Sequence, residues 1–179
     1  STLAGGLGRG LVDGVSGNAR FSFPGSLSST PDGTLYVADL GNGRVRKITP
    51  EGTASTLASG FGSDFRIAAG LNGTVFVERQ QGTFGRSVST ISPAGAVSNF
   101  FNSSASNGVI AVDAAGRLLL AVNNSVVRVN SNGTTSTLAS GFTSASGFTA
   151  LSGIVADSTG TVFVATSEGV QAIDPQGRV

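Results

Sequence analysis

One short phrase recurs four times in this chain, and it constrains the fold more than any other property of the sequence. It reads Pro31-Asp-Gly-Thr-Leu-Tyr-Val-Ala-Asp39, then Leu71-Asn-Gly-Thr-Val-Phe-Val77, then Ala114-Ala-Gly-Arg-Leu-Leu-Leu-Ala121, then Ser158-Thr-Gly-Thr-Val-Phe-Val-Ala165. The glycines Gly33, Gly73, Gly116 and Gly160 are spaced by 40, 43 and 44 residues. Each phrase is followed by an apolar residue four places before a second glycine: Ile48 and Gly52, Ile91 and Gly95, Val129 and Gly133, Ile173 and Gly177. A third element then appears as Ser55-Thr-Leu-Ala-Ser-Gly60, Val97-Ser-Asn-Phe-Phe101 and Ser136-Thr-Leu-Ala-Ser-Gly141. Asp-Gly, Asn-Gly and Pro-x-x-Gly are tight-turn sequences, and the runs between them are rich in Val, Ile, Leu, Phe and Thr, which suit strands. A sheet of three or four such strands cannot bury both faces alone. A period of about 40–45 residues with four strands per unit predicts an all-β chain, a β-propeller of four blades. Strands are expected near 34–39, 44–49, 54–59, 74–78, 87–92, 96–101, 109–113, 117–122, 125–130, 135–139, 153–156, 161–166 and 169–174.

The reading gives a single domain over 1–179, with blade one at 7–60, blade two at 61–101, blade three at 102–141 and blade four at 142–179 plus 1–6. The fourth blade lacks its third element because the sequence stops at Val179, while Ser1-Thr-Leu-Ala-Gly-Gly6 opens the sequence. Running Gly177-Arg-Val179 on into Ser1-Thr-Leu3 restores the Gly-x-x-Ser-Thr-Leu order found at Gly52 and Gly133. The N-terminal strand is therefore expected to close the ring by pairing with the strand around Val170–Asp174. A closed monomer is favoured, with an oligomer completing a larger ring as the alternative.

Composition narrows the chemistry. There is no His and no Cys, so the commonest general base, the commonest metal ligand and any thiolate site are missing. Charged residues are 12% of the chain and the net charge is +1, so no global field recruits nucleic acid. No apolar run approaches membrane-spanning length, so no membrane insertion is expected. The absence of Met suggests a mature or excised segment. Low charge, no Cys and many Ser, Thr and Asn residues suggest a secreted or cell-surface protein, of bacterial type. Four Asn-x-Ser/Thr sequons stand at Asn72, Asn102, Asn123 and Asn132, of which Asn72 and Asn132 read better as Asn-Gly turns.

Blade one carries a more specific pattern: Asp13-Gly-Val-Ser-Gly-Asn-Ala-Arg-Phe21, Phe23-Pro24, Asp32-Gly-Thr-Leu-Tyr-Val-Ala-Asp39 and Gly41-Asn-Gly-Arg-Val-Arg-Lys-Ile48. This resembles an NHL repeat, with Asn42-Gly43-Arg44 standing at the Asn-His-Leu run of the family's name. The other three blades match only at turns and strands. Relatives usually have six blades, so this chain either closes with four or belongs to a larger ring. Some relatives implied by the resemblance are enzymes. Amidating lyases use a His-bound zinc, for which this chain has no ligands. Lactonase-type propellers hold calcium with Glu, Asn and Asp, where this chain offers Glu78, Asp39 and scattered Asn.

Three groups are candidate binding residues. Asp39, with Asn42, follows the inner part of blade one; alternatively its carboxylate accepts backbone N–H groups of the Gly41–Gly43 turn. Arg44, Arg46 and Lys47, with Arg9 and Arg20, make a basic region that could meet phosphate, acidic glycan or RNA backbone, although with one Tyr and no Trp to stack on bases no nucleic-acid partner is expected; alternatively Arg44 and Arg46 alternate outward while Val45 packs. Asp64, Arg66, Glu78, Arg79 and Arg86 gather in blade two, either at a binding mouth or as surface ion pairs. Phe100, Phe101, Phe142 and Phe148 read as packing. No catalytic residue, cofactor or metal is expected. The function that follows is a non-catalytic binding or scaffolding propeller for a protein, peptide or glycan. The alternatives are a lactonase- or amidating-lyase-like enzyme and a purely structural oligomerisation unit.

Overall fold

A computed structural model describes residues 2–6, 8–81, 85–103, 108–142 and 151–179. Eight glycine turns explain much of the strand pattern. Gly33, Gly52, Gly73, Gly95, Gly116, Gly133, Gly160 and Gly177 each donate their N–H to the carbonyl three residues back, and each has φ between 76° and 88°. That left-handed conformation is open to glycine at little steric cost. The turns are reinforced by side chains. Asp32, Asn72 and Asn132 accept the N–H two residues on, and Asp113, Asp157 and Asp174 accept two N–H groups each. Asn72 and Asn132 are turn residues, as read from the sequence.

Between the turns lie four antiparallel sheets, the blades of a four-bladed β-propeller. Blade one holds β1 (Gly14–Val15), β2 (Pro24–Ser29), β3 (Leu35–Asp39), β4 (Arg44–Ile48) and β5 (Thr53–Ser59), in the order β1-β5-β4-β3-β2. Blade two holds β6 (Phe65–Ala69), β7 (Val75–Gln81), β8 (Gly85–Ile91) and β9 (Val97–Ser103). Blade three holds β10 (Gly108–Val112), β11 (Leu118–Val122), β12 (Ser125–Val129) and β13 (Thr135–Ser140). Blade four holds β14 (Gly153–Ala156), β15 (Val162–Thr166) and β16 (Gly169–Ile173).

Three of these strands lie outside the sequence expectation. β1 adds a fifth strand to blade one, where Asp13 accepts the N–H and hydroxyl of Thr56 on β5. β2 reads Pro-Gly-Ser-Leu-Ser-Ser, a poor strand sequence by propensity. Its serines bond the neighbouring blade. Ser26 Oγ accepts the Ile67 N–H and Ser28 Oγ accepts the Ala69 N–H, capping the edge of β6, the third strand not foreseen. The closing strand also departs from expectation. Among the described residues β16 has β15 as its one strand neighbour, while Gly5 and Gly6 donate to the Ser16 and Ala19 carbonyls of blade one. The long 12–20 loop of blade one offers those carbonyls closer in sequence. Ser1 and Phe148 lie outside the described residues.

Contacts group the chain into two compact units, 1–79 with 89–99, and 80–88 with 100–179. In the first, Tyr36, Ala38, Val45 and Ala58 of blade one pack on Phe61, Phe65, Ile67, Val75, Val77 and Ile91. A smaller core of Ala19, Val37, Ile48 and Ala54 covers the other face of blade one. In the second, Leu119, Ala121, Val126 and Ala139 pack with Phe142, Val162, Val164 and Ile173. Phe142 is thus core, as expected.

The turn carboxylates make the fold acid-sensitive. Asp32 is held below the usual 3.8 chiefly by the Thr30 hydroxyl, Asp157 by the Thr159 hydroxyl and Asp174 by the Arg178 N–H. Groups with depressed folded values stabilise fully above the unfolded value and lose that stabilisation as pH falls through the folded one. The melting temperature is therefore expected to hold from neutrality down to about pH 4 and to fall below it. Asp157→Ala should flatten the fall, and an equally steep fall in that variant would count against the turn assignment.

Candidate functional site

The tightest polar cluster centres on Arg46, whose side chain is fully buried. Nη1 donates to the Arg20 carbonyl at 3.0 Å and to Asp39 Oδ2 at 2.9 Å. Nη2 donates to the Val12 carbonyl at 3.0 Å and to Asp13 Oδ1 at 2.7 Å. The guanidinium stands over the Phe21 ring, 4.6 Å from its centroid. Asp39 is equally buried and also accepts the Ser22 N–H at 2.7 Å and Asn42 Nδ2 at 2.8 Å. Asn42 gives its other bond to the Gly10 carbonyl. Asp13 is half-exposed; burial works against its charge, but Thr56 and Arg46 outweigh that and hold the carboxyl below 3.8.

Strand alternation puts Arg46 on the same face as its ladder partner Val37, opposite to Val45. The sequence reading took that face to be solvated. It is covered instead by residues 12–21, which bring Asp13 and Phe21 onto it, so Asp39, Asn42 and Arg46 form an internal clasp rather than an open surface. The Asp39 carboxylate accepts from the Asn42 side chain and the Ser22 backbone, not from the Gly41–Gly43 backbone as expected. Gly41 N–H bonds the Ser22 carbonyl, and a Cβ there would stand 2.5 Å from Ser22 Oγ, which explains the glycine.

The remaining candidates are placed as follows. Arg44 and Lys47 are half-buried and Arg9 is exposed. In blade two Arg66 and Glu78 oppose each other across β6 and β7, with Nη1 3.6 Å from Oε2 and Glu78 buried. Arg79 opposes Phe65 in the ladder, and Asp64 is exposed. Arg86 is buried in the second unit. A third ionic group escaped sequence reasoning: buried Asp113 lies 2.8 Å from Arg117 Nε and 3.4 Å from Arg128 Nε. Its signal was position, since Asp113 begins a turn as Asp157 and Asp174 do. Among the described residues no three acidic side chains gather as a metal site. No described helix is long and apolar enough to cross a membrane.

A second feature missed by sequence reasoning lies in blade one, just before β2. Phe23 is 58% exposed and, like Ser16 and Asn123, is a non-glycine residue at positive φ, here +48°. The Arg9 guanidinium sits over its ring, 3.8 Å from the centroid. Of the eleven large apolar residues exposed among those described, Leu11, Val12, Val15, Phe23 and Leu27 all fall within 17 residues of sequence.

The clasp residues Asp13, Phe21, Asp39, Asn42 and Arg46 all lie within residues 11–49, the stretch matched by the family model of the Teneurin NHL domain. Blade one is thus similar to a repeat of the NHL type, in a chain that folds as a four-bladed β-propeller. Teneurin-3 of Danio rerio is 39% identical over 75 residues, which is 40% of this propeller and 2% of that protein. Among solved structures, a protein of unknown function from Bacteroides thetaiotaomicron is similar with a TM-score of 0.72 at 20% identity, over 99% of this chain and 48% of the other. A streptogramin B lyase is similar with a TM-score of 0.61 at 16% identity, over 84% of this chain and 54% of the other. The propeller thus spans a small part of the teneurin and about half of each solved chain. The other three blades lack the clasp residues. The places of Asp39 and Arg46 are taken by Arg79 and Ser89 in blade two, Val122 and Val127 in blade three, and Thr166 and Gln171 in blade four. Where the buried carboxylate is absent, so is the buried guanidinium.

Removing one partner of a buried ion pair strands the other charge, at roughly 3–5 kcal/mol. Arg46→Met is expected to lose about that much stability, and Arg46→Met combined with Asp39→Leu less than the two single losses together. Denaturant unfolding of the four proteins measures it; simple additivity would remove the clasp.

Proposed function

We propose that this propeller is a non-catalytic binding module of a secreted or cell-surface protein, and that it engages a protein or peptide through the exposed Phe23 and Arg9 of blade one. The observation that carries the reading is how the acidic residues are used. Of the ten in the chain, Asp13, Asp39, Glu78, Asp113 and Asp174 are paired with arginine, and Asp32, Glu51 and Asp157 bond threonine hydroxyls. Asp64 and Glu168 remain, both exposed on separate units. With no His and no Cys, little is left to serve as base or nucleophile. The likeness to a teneurin supports a cell-surface setting, and the lyase-like fold carries no activity with it, since one fold hosts many functions.

Phe23 is the residue to which we assign the contact. A non-glycine residue held at positive φ costs stability, which the cation over its ring offsets in part, and such strain persists where the surroundings impose it. Aromatic and arginine side chains are also the usual anchors of interfaces. An array of extracellular peptides, proteins and glycans probed with the purified chain tests the reading. Binding should fall by more than tenfold in Phe23→Ser and Arg9→Ser, with the melting temperature of each within a few degrees of the parent. Binding indifferent to both changes would refute the assignment, and turnover of a streptogramin or a lactone would refute the non-catalytic reading.

A further inference from the structure

Blade three carries an ion cluster larger than its turn requires. Asp113 opens the turn between β10 and β11 and is 4% exposed. Its Oδ1 accepts the Ala115 and Arg117 N–H groups, and its Oδ2 accepts Arg117 Nε at 2.8 Å. Arg128 Nε reaches the same oxygen from β12, at 3.4 Å. The turn between β14 and β15 is built in the same way without any arginine. Asp157 Oδ1 accepts the Thr159 and Thr161 N–H groups, and Gly160 donates to the Asp157 carbonyl as Gly116 donates to that of Asp113. The places of Arg117 and Arg128 are there taken by Thr161 and by Ala172, which opposes Phe163 as Arg128 opposes Leu119. At Asp174 the turn carboxylate meets one arginine, Arg178. At Asp113 two arginines share one carboxylate.

That sharing leaves a positive charge over. The side chain of Arg117 is 45% exposed and that of Arg128 17%. Both guanidiniums turn their Nε toward Oδ2, and Arg128 Nε is buried there in an ion pair that lacks hydrogen-bond geometry. Among the described residues no acceptor bonds an Nη group of either arginine. Strand alternation places Arg128 on the face of Leu119 and Val126, which are core residues, at the end of that face nearest the turn. One side of the cation is therefore apolar. A single carboxylate that already holds two backbone N–H groups balances one guanidinium, and the second stands mostly withdrawn from water, where an unbalanced charge is costly.

We infer that Arg117 and Arg128 form a binding site for a tetrahedral oxyanion, the sulfate or phosphate group of an ester, and that Asp113 is the buried residue that positions both arginines for it. A guanidinium is a planar fork of donors matched to such oxygens, and it is less strongly hydrated than an ammonium. With Nε of each arginine facing Oδ2, the Nη groups are the donors left for a ligand. The shared oxygen holds the two forks side by side. An ester sulfate or phosphate has enough oxygens to meet both at once, whereas the two oxygens of a carboxylate are filled by one fork. The bound anion would neutralise the charge that Asp113 leaves over. This site belongs to the second compact unit and owes nothing to the contact assigned to Phe23 in the first.

Sodium sulfate and sodium phosphate, titrated into isotope-labelled protein against sodium chloride at matched ionic strength, are expected to shift the Arg117 and Arg128 Nε–H resonances saturably, and chloride is not. Glucose sulfate and glucose phosphate are expected to shift the same two signals, and the tighter of the two identifies the ester. Arg117→Gln and Arg128→Gln should each weaken oxyanion binding by about tenfold or more, the loss of one charge-assisted pair. Arg117→Lys, which keeps the charge and loses the fork, should weaken it as well. Arg117→Gln retains the backbone N–H that Asp113 accepts, so the turn survives in that variant and it serves even if Arg128→Gln fails to fold. A purely structural cluster would lower the melting temperature of the variants and respond to sulfate as to chloride. That response, or an affinity unchanged in Arg117→Gln, overturns the inference. Neither result bears on peptide binding at Phe23, which is read from different residues.

Discussion

A guanidinium with no exposed surface has to be met by acceptors on all its open sides, and around Arg46 that requirement organises blade one. Its two amino groups hold the Arg20 and Val12 carbonyls, so residues 12–21 are laid across the sheet instead of hanging free. They also hold Asp39 and Asp13, which in turn gather Ser22, Asn42 and Thr56. The covering segment then adds β1, supplies Ala19 and Phe21 to the smaller core, and offers the carbonyls that fix Gly5 and Gly6. A buried charge is costly when partly satisfied, and here both amino groups are fully engaged while Nε has no partner.

The other blades reach burial by a different route. They lack the Asp39–Arg46 clasp and rely mainly on aliphatic faces meeting within each unit, Val45 and Ala38 with Val75 and Val77 in one and Leu119 and Val126 with Val162 and Val164 in the other. Such faces need only rough shape complementarity, which is why their sequences drift while the turns persist. Repeat proteins distribute stability over neighbour contacts in this way, and the terminal face is then the unsolved one.

Much of the fold was legible because turns are local. A glycine at φ near 80° and an Asp or Asn beside it depend on a few adjacent atoms, so Gly33 or Asp157 can be read with no knowledge of the rest. β2 was illegible for the converse reason. Pro24, Gly25 and four residues of which three are serine have no strand preference, and they form a strand because Ser26 and Ser28 bond the β6 edge of the neighbouring blade. Of the candidate site, the grouping of Asp39 with Arg46 was visible as chemistry, but their burial was not. Alternation told which residues share a face, and only the covering loop told whether that face meets water.

The sequence by itself determined the repeat, the hairpin turns, the strand periodicity and the exclusion of His and Cys chemistry, because each of these is a property of residues within a few positions of one another. The tertiary structure decided the rest. It turned Asp39, Asn42 and Arg46 inward, paired Glu78 with Arg66 and Asp113 with Arg128, exposed Phe23 under Arg9, and seated the N-terminal segment on blade one. Burial and pairing depend on which distant segment arrives at a face, and a strand of period two carries no record of what will cover it.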